Sequence, residues 1–230
     1  MSPSDSVGKS AATHDYLKDL AIKGRLRPGR HLSPVELADQ MRVSITPIRD
    51  ALVRLAEEGY LTWAATRGYF TKPFSVDEQR DLLSLLWLNR LPALLLGASP
   101  VASAALASLV DLPRDPRITD PHTAPAAIEA AARCLEDQHR VLAEATGNKV
   151  LARQAQGQIE RTYLVRRLDL SEPARRRTAA ARLSEVAQAL IAEDLSTAFA
   201  VTRLHLGDLE RRLPALVALA NSQALQSDFP

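Results

Sequence analysis

The sequence predicts a mostly α-helical chain of two parts: a small N-terminal module of three short helices and a β-hairpin, then an all-α helical bundle. Three observations carry this expectation. Apolar residues recur at helical spacing through most of the 230 residues. One stretch, 60–71, is instead rich in aromatic and β-branched residues around a polar turn. Pro73, followed by the capping pattern from Ser75 to Glu78, marks a junction between the two regions. The expected divisions are 1–12 as a flexible N-terminus, 13–74 as the first domain and 76–230 as the second.

Each element has a local reason. Residues 1–12 are rich in Ser, Gly and Ala and read as frayed. Tyr16, Leu17, Leu20 and Ala21 form a helical stripe, which Gly24 and Pro28-Gly29 end. Ser33 is suited to cap a second helix, with Pro34 at its first position and Glu36 three residues beyond the cap. Ser44 is suited to cap a third, whose buried stripe is Ile48, Ala51, Leu52 and Leu55, and Gly59 closes it. Pro47 is tolerated there because the first turn lacks intrahelical N–H partners. Beyond Ser75 the pattern predicts helices at 77–97, 101–110, 126–145, 149–169, 174–192 and 195–213. A proline-rich loop is expected at 112–125, and solvated edges at Arg166-Arg167 and Arg175-Arg176-Arg177. The apolar excess of the 77–97 helix calls for a central or interface position.

Composition narrows the class. Hydrophobic content of 46% with 24% charge suits a soluble globular chain. The single cysteine, Cys134, excludes an intrachain disulfide framework and a CxxC zinc site. The longest apolar run, 82–96, is interrupted by Asn89, Arg90 and Pro92 and falls short of the roughly 18–20 residues of a membrane span. With no basic-then-apolar leader, the expected location is cytoplasmic. Net charge is +2, yet residues 1–76 hold eleven Lys/Arg against eight Asp/Glu, so the N-terminal part is mildly basic.

Three short helices and a hairpin make a winged helix-turn-helix. In such a module one helix enters the major groove and the hairpin tip reaches the minor groove or the phosphates. The buried stripe of the third helix leaves Thr46, Arg49, Asp50 and Val53 outward. Arg49 has the reach and the fork for guanine O6/N7, while Ser44 and Thr46 suit phosphates or base edges. Arg67, beside Gly68 at the hairpin tip, is the expected wing contact. By spacing alone, an exposed Arg on a short helix is equally a solvated one.

The runs Ile22-Lys23-Gly24-Arg25-Leu26-Arg27-Pro28-Gly29-Arg30-His31-Leu32, Glu36-Leu37-Ala38, Val43-Ser44-Ile45-Thr46-Pro47-Ile48-Arg49-Asp50-Ala51-Leu52 and Arg54-Leu55-Ala56-Glu57-Glu58-Gly59-Tyr60-Leu61 stand in order within 14–73. With Arg67-Gly68-Tyr69-Phe70 as the wing, this stretch resembles the GntR family of bacterial transcription regulators. One departure is Ile45, where the family usually has Arg. Residues 76–230 resemble the FCD domain, the helical effector-binding half of one branch of that family. The likeness runs through Asn89-Arg90, through His139 with Leu142 to Asn148, and through Ala189 to Asp194 leading to His205.

That resemblance implies one Asp and three His holding a divalent metal, which helps bind a carboxylate effector. Carried over residue by residue, the expected ligands fall on Leu135, His139, Leu183 and His205, so two of four are leucines. Two imidazoles alone make a weak metal site. Three readings of His139 and His205 stay open: hydrogen-bonded core residues, imidazoles lining a metal-free effector pocket, or a metal site completed by Glu136. Arg90, in the most apolar helix, is either an ion-pair partner or a clamp for the effector's carboxylate.

The combined expectation is a homodimeric regulator, not an enzyme: a repressor of double-stranded operator DNA, controlled by a small carboxylate effector through Arg90, His139 and His205. No membrane partner is expected, and a cofactor is left unassigned. The alternatives are a DNA-binding regulator without effector control and a helical metalloenzyme fused to a DNA module.

Overall fold

The computed structural model describes residues 3–88, 100–145 and 147–227. The chain divides into two compact units, residues 1–75 with 218–230, and residues 76–217.

In the first unit, helix α1 (Pro3–Ile22) packs on α3 (Ile45–Glu57), with α2 (Pro34–Met41) beside it. Helix α1 starts at Pro3, where a frayed segment was expected, and proline suits the first turn of a helix. Leu17 of α1 and Ile48, Ala51, Leu52 and Leu55 of α3 are each 0% exposed and form the core of the unit. The Ser33 hydroxyl accepts the Glu36 N–H at 3.4 Å, capping α2. That helix ends at Arg42 in the left-handed region (φ 53°), whose N–H reaches the carbonyls of Ala38 and Asp39. Buried His14 ties α1 to the end of α3 through Glu58 at 3.0 Å.

The expected hairpin is β2 (Leu61–Ala64) with β3 (Gly68–Thr71), antiparallel, pairing Thr62 with Phe70 and Ala64 with Gly68. A two-residue strand the sequence did not announce, β1 (His31–Leu32), adds to the other edge of β3, giving the order β1-β3-β2.

The second unit is all helical. It contains α4 (Val76–Leu88), α5 (Pro100–Val110), α6 (Pro116–Thr119), α7 (Pro125–Ala145), α8 (Lys149–Arg161), α9 (Tyr163–Asp169), α10 (Pro173–Ile191) and most of α11 (Leu195–Leu225). Four local departures from expectation have physical causes. The 112–125 segment is not a plain loop: a 3-10 turn at Leu112–Arg114 is followed by α6, whose N-cap Asp115 accepts the Arg117 N–H at 2.8 Å. The 149–169 helix breaks at Thr162, whose hydroxyl donates back to the Gln158 carbonyl at 2.7 Å and competes with the backbone ladder. Helix α11 continues past 213 through Pro214, because buried Leu213, Leu216, Val217, Ala220 and Ala224 extend its apolar stripe. From Ala218 onward this helix belongs to the first unit, where Asn221 accepts the Phe74 N–H at 2.9 Å and donates to the Phe74 carbonyl at 3.0 Å.

The fourth departure is Arg176, which is fully buried and no part of a solvated edge. Its guanidinium donates to the carbonyls of Leu170 (2.9 Å), Asp120 (3.0 Å) and His122 (2.6 Å), joining two loops that lack regular partners. Cys134 is buried, its thiol reaching Asp115 Oδ2 at 3.6 Å, and burial pushes the thiol up to about 11.

Candidate functional site

Two candidate surfaces emerge, one in each unit. On α3 the core stripe fixes the helix orientation, and the opposite edge carries Ser44, Ile45, Thr46, Arg49, Asp50 and Val53, all exposed. Ser44 stands at the N-cap with extended backbone (φ −70°, ψ 161°), yet its side chain makes no capping bond. Its hydroxyl is thus left to other acceptors or donors at the helix's positive end.

On the wing, exposed Arg67 sits in the turn with its guanidinium carbon 5.7 Å from the Phe70 ring centre. Gly68 has φ +88°, a left-handed backbone that favours glycine, and a Cβ there would stand 3.0 Å from His31 Nε2, so the exposed imidazole would have to shift slightly to admit one. His31, itself 5.2 Å from the Phe70 ring, is an exposed polar neighbour of the wing turn. The sequence showed His31 only as part of the family-like run and not as a neighbour of the wing, because a two-residue strand leaves no periodic signal.

In the helical unit, Leu135, His139, Leu183 and His205 all line one cavity of about 50 Å³, with Trp87 and Arg166 among their neighbours. The four positions implied by the family resemblance therefore converge in space although they come from α7, α10 and α11. Both histidines are buried. The Trp87 indole stacks on His205 with centroids 3.7 Å apart and meets His139 edge-on at 6.2 Å. Arg90 lies outside the described residues.

The electrostatics of the cavity come from residues the sequence had placed elsewhere. Arg166, expected on a solvated edge, is buried and lines the cavity. Its Nη2 donates to Glu136 at 2.8 Å and to the Ile159 carbonyl at 2.7 Å, and its Nε donates to Thr162 Oγ1 at 2.9 Å. Glu136 is thus not a solvated partner of Arg140, which instead pairs with Asp137 at 2.9 Å. Burial raises the Glu136 carboxyl above its ordinary range, and Arg166 opposes that shift only in part. Asp169, also on the cavity wall, is held by Arg212 through two bonds of 2.8 and 3.0 Å. No signal in the sequence distinguished Arg166 as buried, since the break at Thr162 sets its helical phase, and Arg167, expected on the same solvated edge, is half-buried and paired with Glu129 at 2.6 Å.

The residues present do not fit a metal of the implied kind. Leucine side chains at 135 and 183 carry no donor atom, and Glu136 is engaged by Arg166. Among the described residues no three His, Cys, Asp or Glu side chains come together to hold an ion.

The fold and the cavity define a two-domain protein of the winged-helix class with a helical bundle as its second half. Residues 9–70 match the family of bacterial regulatory proteins named gntR, and residues 100–208 match the FCD domain. The chain thus carries a GntR-family domain in its N-terminal part and an FCD domain in its C-terminal part. It is 42% identical over 66 residues to the Nta operon transcriptional regulator of Aminobacter aminovorans, covering 29% of this chain and 31% of that protein. An uncharacterized HTH-type regulator, BphR of Paraburkholderia xenovorans, is 34% identical over 71 residues, covering 31% and 29%. These alignments span only about a third of the curated relatives' length.

Among solved structures, a transcriptional regulator GntR from Rhodococcus sp. RHA1 superposes with TM-score 0.64 at 18% identity, covering 90% of this chain and 98% of that one. McbR/YncC of E. coli gives 0.58 at 20% identity, covering 92% and 97%. At such identities the likeness concerns the fold alone. The families and relatives matched are regulators rather than enzymes, which removes the metalloenzyme alternative.

Proposed function

We propose that the chain is a repressor that binds double-stranded operator DNA as a homodimer and releases it when a small organic acid enters the cavity of its FCD domain. The exposed α3 edge supports the DNA contact: Ser44 and Thr46 on phosphates or base edges, Arg49 on a guanine, and Arg67 with Gly68 at the wing. Ile45 in place of the family's usual Arg removes one cationic contact and points to a different operator sequence. Two-fold symmetry doubles the number of bases read, and exposed Leu85 and Leu88 on α4 offer apolar surface to a partner.

One observation carries the effector reading: His139 and His205 meet on a single cavity rather than packing separately into the core. Imidazoles can donate or accept there, and the apolar walls desolvate whatever they hold. A ligand regulates only if it favours one arrangement of the DNA-reading units over another.

The test is fluorescence anisotropy of the full chain on an operator selected from a random duplex pool, titrated with small acids and their neutral analogues. Release by at least one compound, abolished in His139→Leu or His205→Leu protein that still binds the operator, is the expected result. Operator affinity indifferent to every compound would leave a DNA-binding regulator without effector control.

A further inference from the structure

We propose that Arg166 takes the place of a metal ion as the cation that binds the effector, so that this chain senses a compact carboxylate without a metal. The inference rests on the effector reading above and names the chemistry of that same cavity. A guanidinium presents five N–H donors. In Arg166, Nε and Nη2 are spent on Thr162, the Ile159 carbonyl and Glu136, and these bonds hold the side chain against the cavity wall. Among the described residues no hydrogen bond uses Nη1, so two donors of a buried cation stay uncommitted.

Beside the apolar wall of the cavity, such donors bind an anionic oxygen more strongly than a neutral one. Leu135 and Leu183 occupy two of the four implied ligand positions and supply hydrocarbon wall instead of donor atoms. The guanidinium is thus the cavity's permanent cation among the described residues, because the charge of a histidine depends on its protonation. The volume, about 50 Å³, admits on the order of four water-sized groups. A short aliphatic acid meets all three conditions: one charge, little bulk and an apolar tail for the leucines.

Glu136 is the built-in competitor. It already neutralises Arg166 at 2.8 Å, and a ligand carboxylate must share the guanidinium with it. Burial pushes the Glu136 carboxyl above its usual range, and its contact with Arg166 opposes that shift. Removing the negative charge of Glu136 therefore tightens ligand binding, whereas removing the pair abolishes it.

The experiment titrates full-length protein in EDTA with acetate and propionate, and with acetamide and propionamide as neutral isosteres, by calorimetry. At least one acid is expected to bind, with its amide at least tenfold weaker. In Glu136→Gln protein that acid binds at least threefold more tightly. The double variant Arg166→Met with Glu136→Gln exchanges the buried pair for uncharged side chains of similar size. It is expected to keep operator binding and to lose the acid by at least tenfold.

Undiminished acid binding in the double variant overturns the proposal, as does binding that appears only when Zn²⁺ replaces EDTA. So does failure of both acids to bind Glu136→Gln protein. If neutral compounds release the operator and the acids do not, the role of Arg166 and the acidic nature of the effector fall, while control of the operator through the cavity stands. If nothing tested binds or releases, both fall.

Discussion

At Arg49 and Arg67 the same chemical group is asked to do two jobs, and the difference is measurable. Arg49 projects from the first turns of α3, and its proposed role there is to fork its guanidinium onto a guanine edge. Arg49→Ala should cost about 1–3 kcal/mol on the selected operator and relax preference at one base pair. Arg67→Ala should weaken binding nearly equally on all duplexes and reduce the slope of log affinity against log salt by about 1. Anisotropy titrations over a salt series separate the two.

Asp115 sets a pH dependence in the other unit. The Arg117 guanidinium holds its carboxyl down at about 2, although burial opposes this. A depressed carboxyl adds stability in full above the unfolded value of about 4, and that part is lost as pH falls from there toward 2. Urea unfolding should therefore show a larger drop between pH 5 and pH 3 for wild type than for Asp115→Asn, whose amide still caps α6. Equal drops would remove Asp115 from the account.

At the scale of elements, what sequence could show depended on periodicity. Ser33, Ile48, Ala51, Leu52 and Leu55 stand where the 3.6-residue repeat put them, because α2 and α3 each bury one continuous stripe. The hairpin was legible from Gly68 and its aromatic neighbours, but β1 was too short to leave a pattern. Arg166 and Arg176 were read as solvated because charge dominates a local view. Their burial comes from carbonyls and a carboxylate brought together by distant segments. The convergence of Leu135, His139, Leu183 and His205 was legible only through family likeness, since no local spacing links three helices.

Arg176 provides the prediction at this scale. Arg176→Met leaves the carbonyls of Leu170, Asp120 and His122 without their donor and should destabilise the helical unit by about 2–5 kcal/mol. Denaturant midpoints of the two proteins at constant slope give the number directly. A change under about 0.5 kcal/mol would mean that water or neighbouring donors replace the guanidinium fully.

For the whole molecule, the two units share one helix. Helix α11 supplies His205 to the cavity and, beyond Ala218, supplies Asn221, which holds the backbone of Phe74 at both its N–H and its carbonyl. Among the described residues no helix is long and apolar enough to cross a membrane. The central claim is that the edge of α3 from Ser44 to Val53, with the wing at Arg67, reads duplex DNA. The most direct measurement is selection from a random duplex pool by the full-length chain at low salt, followed by titration of the enriched sequence with wild type and Arg49→Ala. The expected result is enrichment of a two-fold symmetric site with half-sites about one or two helical turns apart, and at least a fivefold loss for Arg49→Ala. A pool that emerges without a common sequence, bound equally well by both proteins, would contradict it.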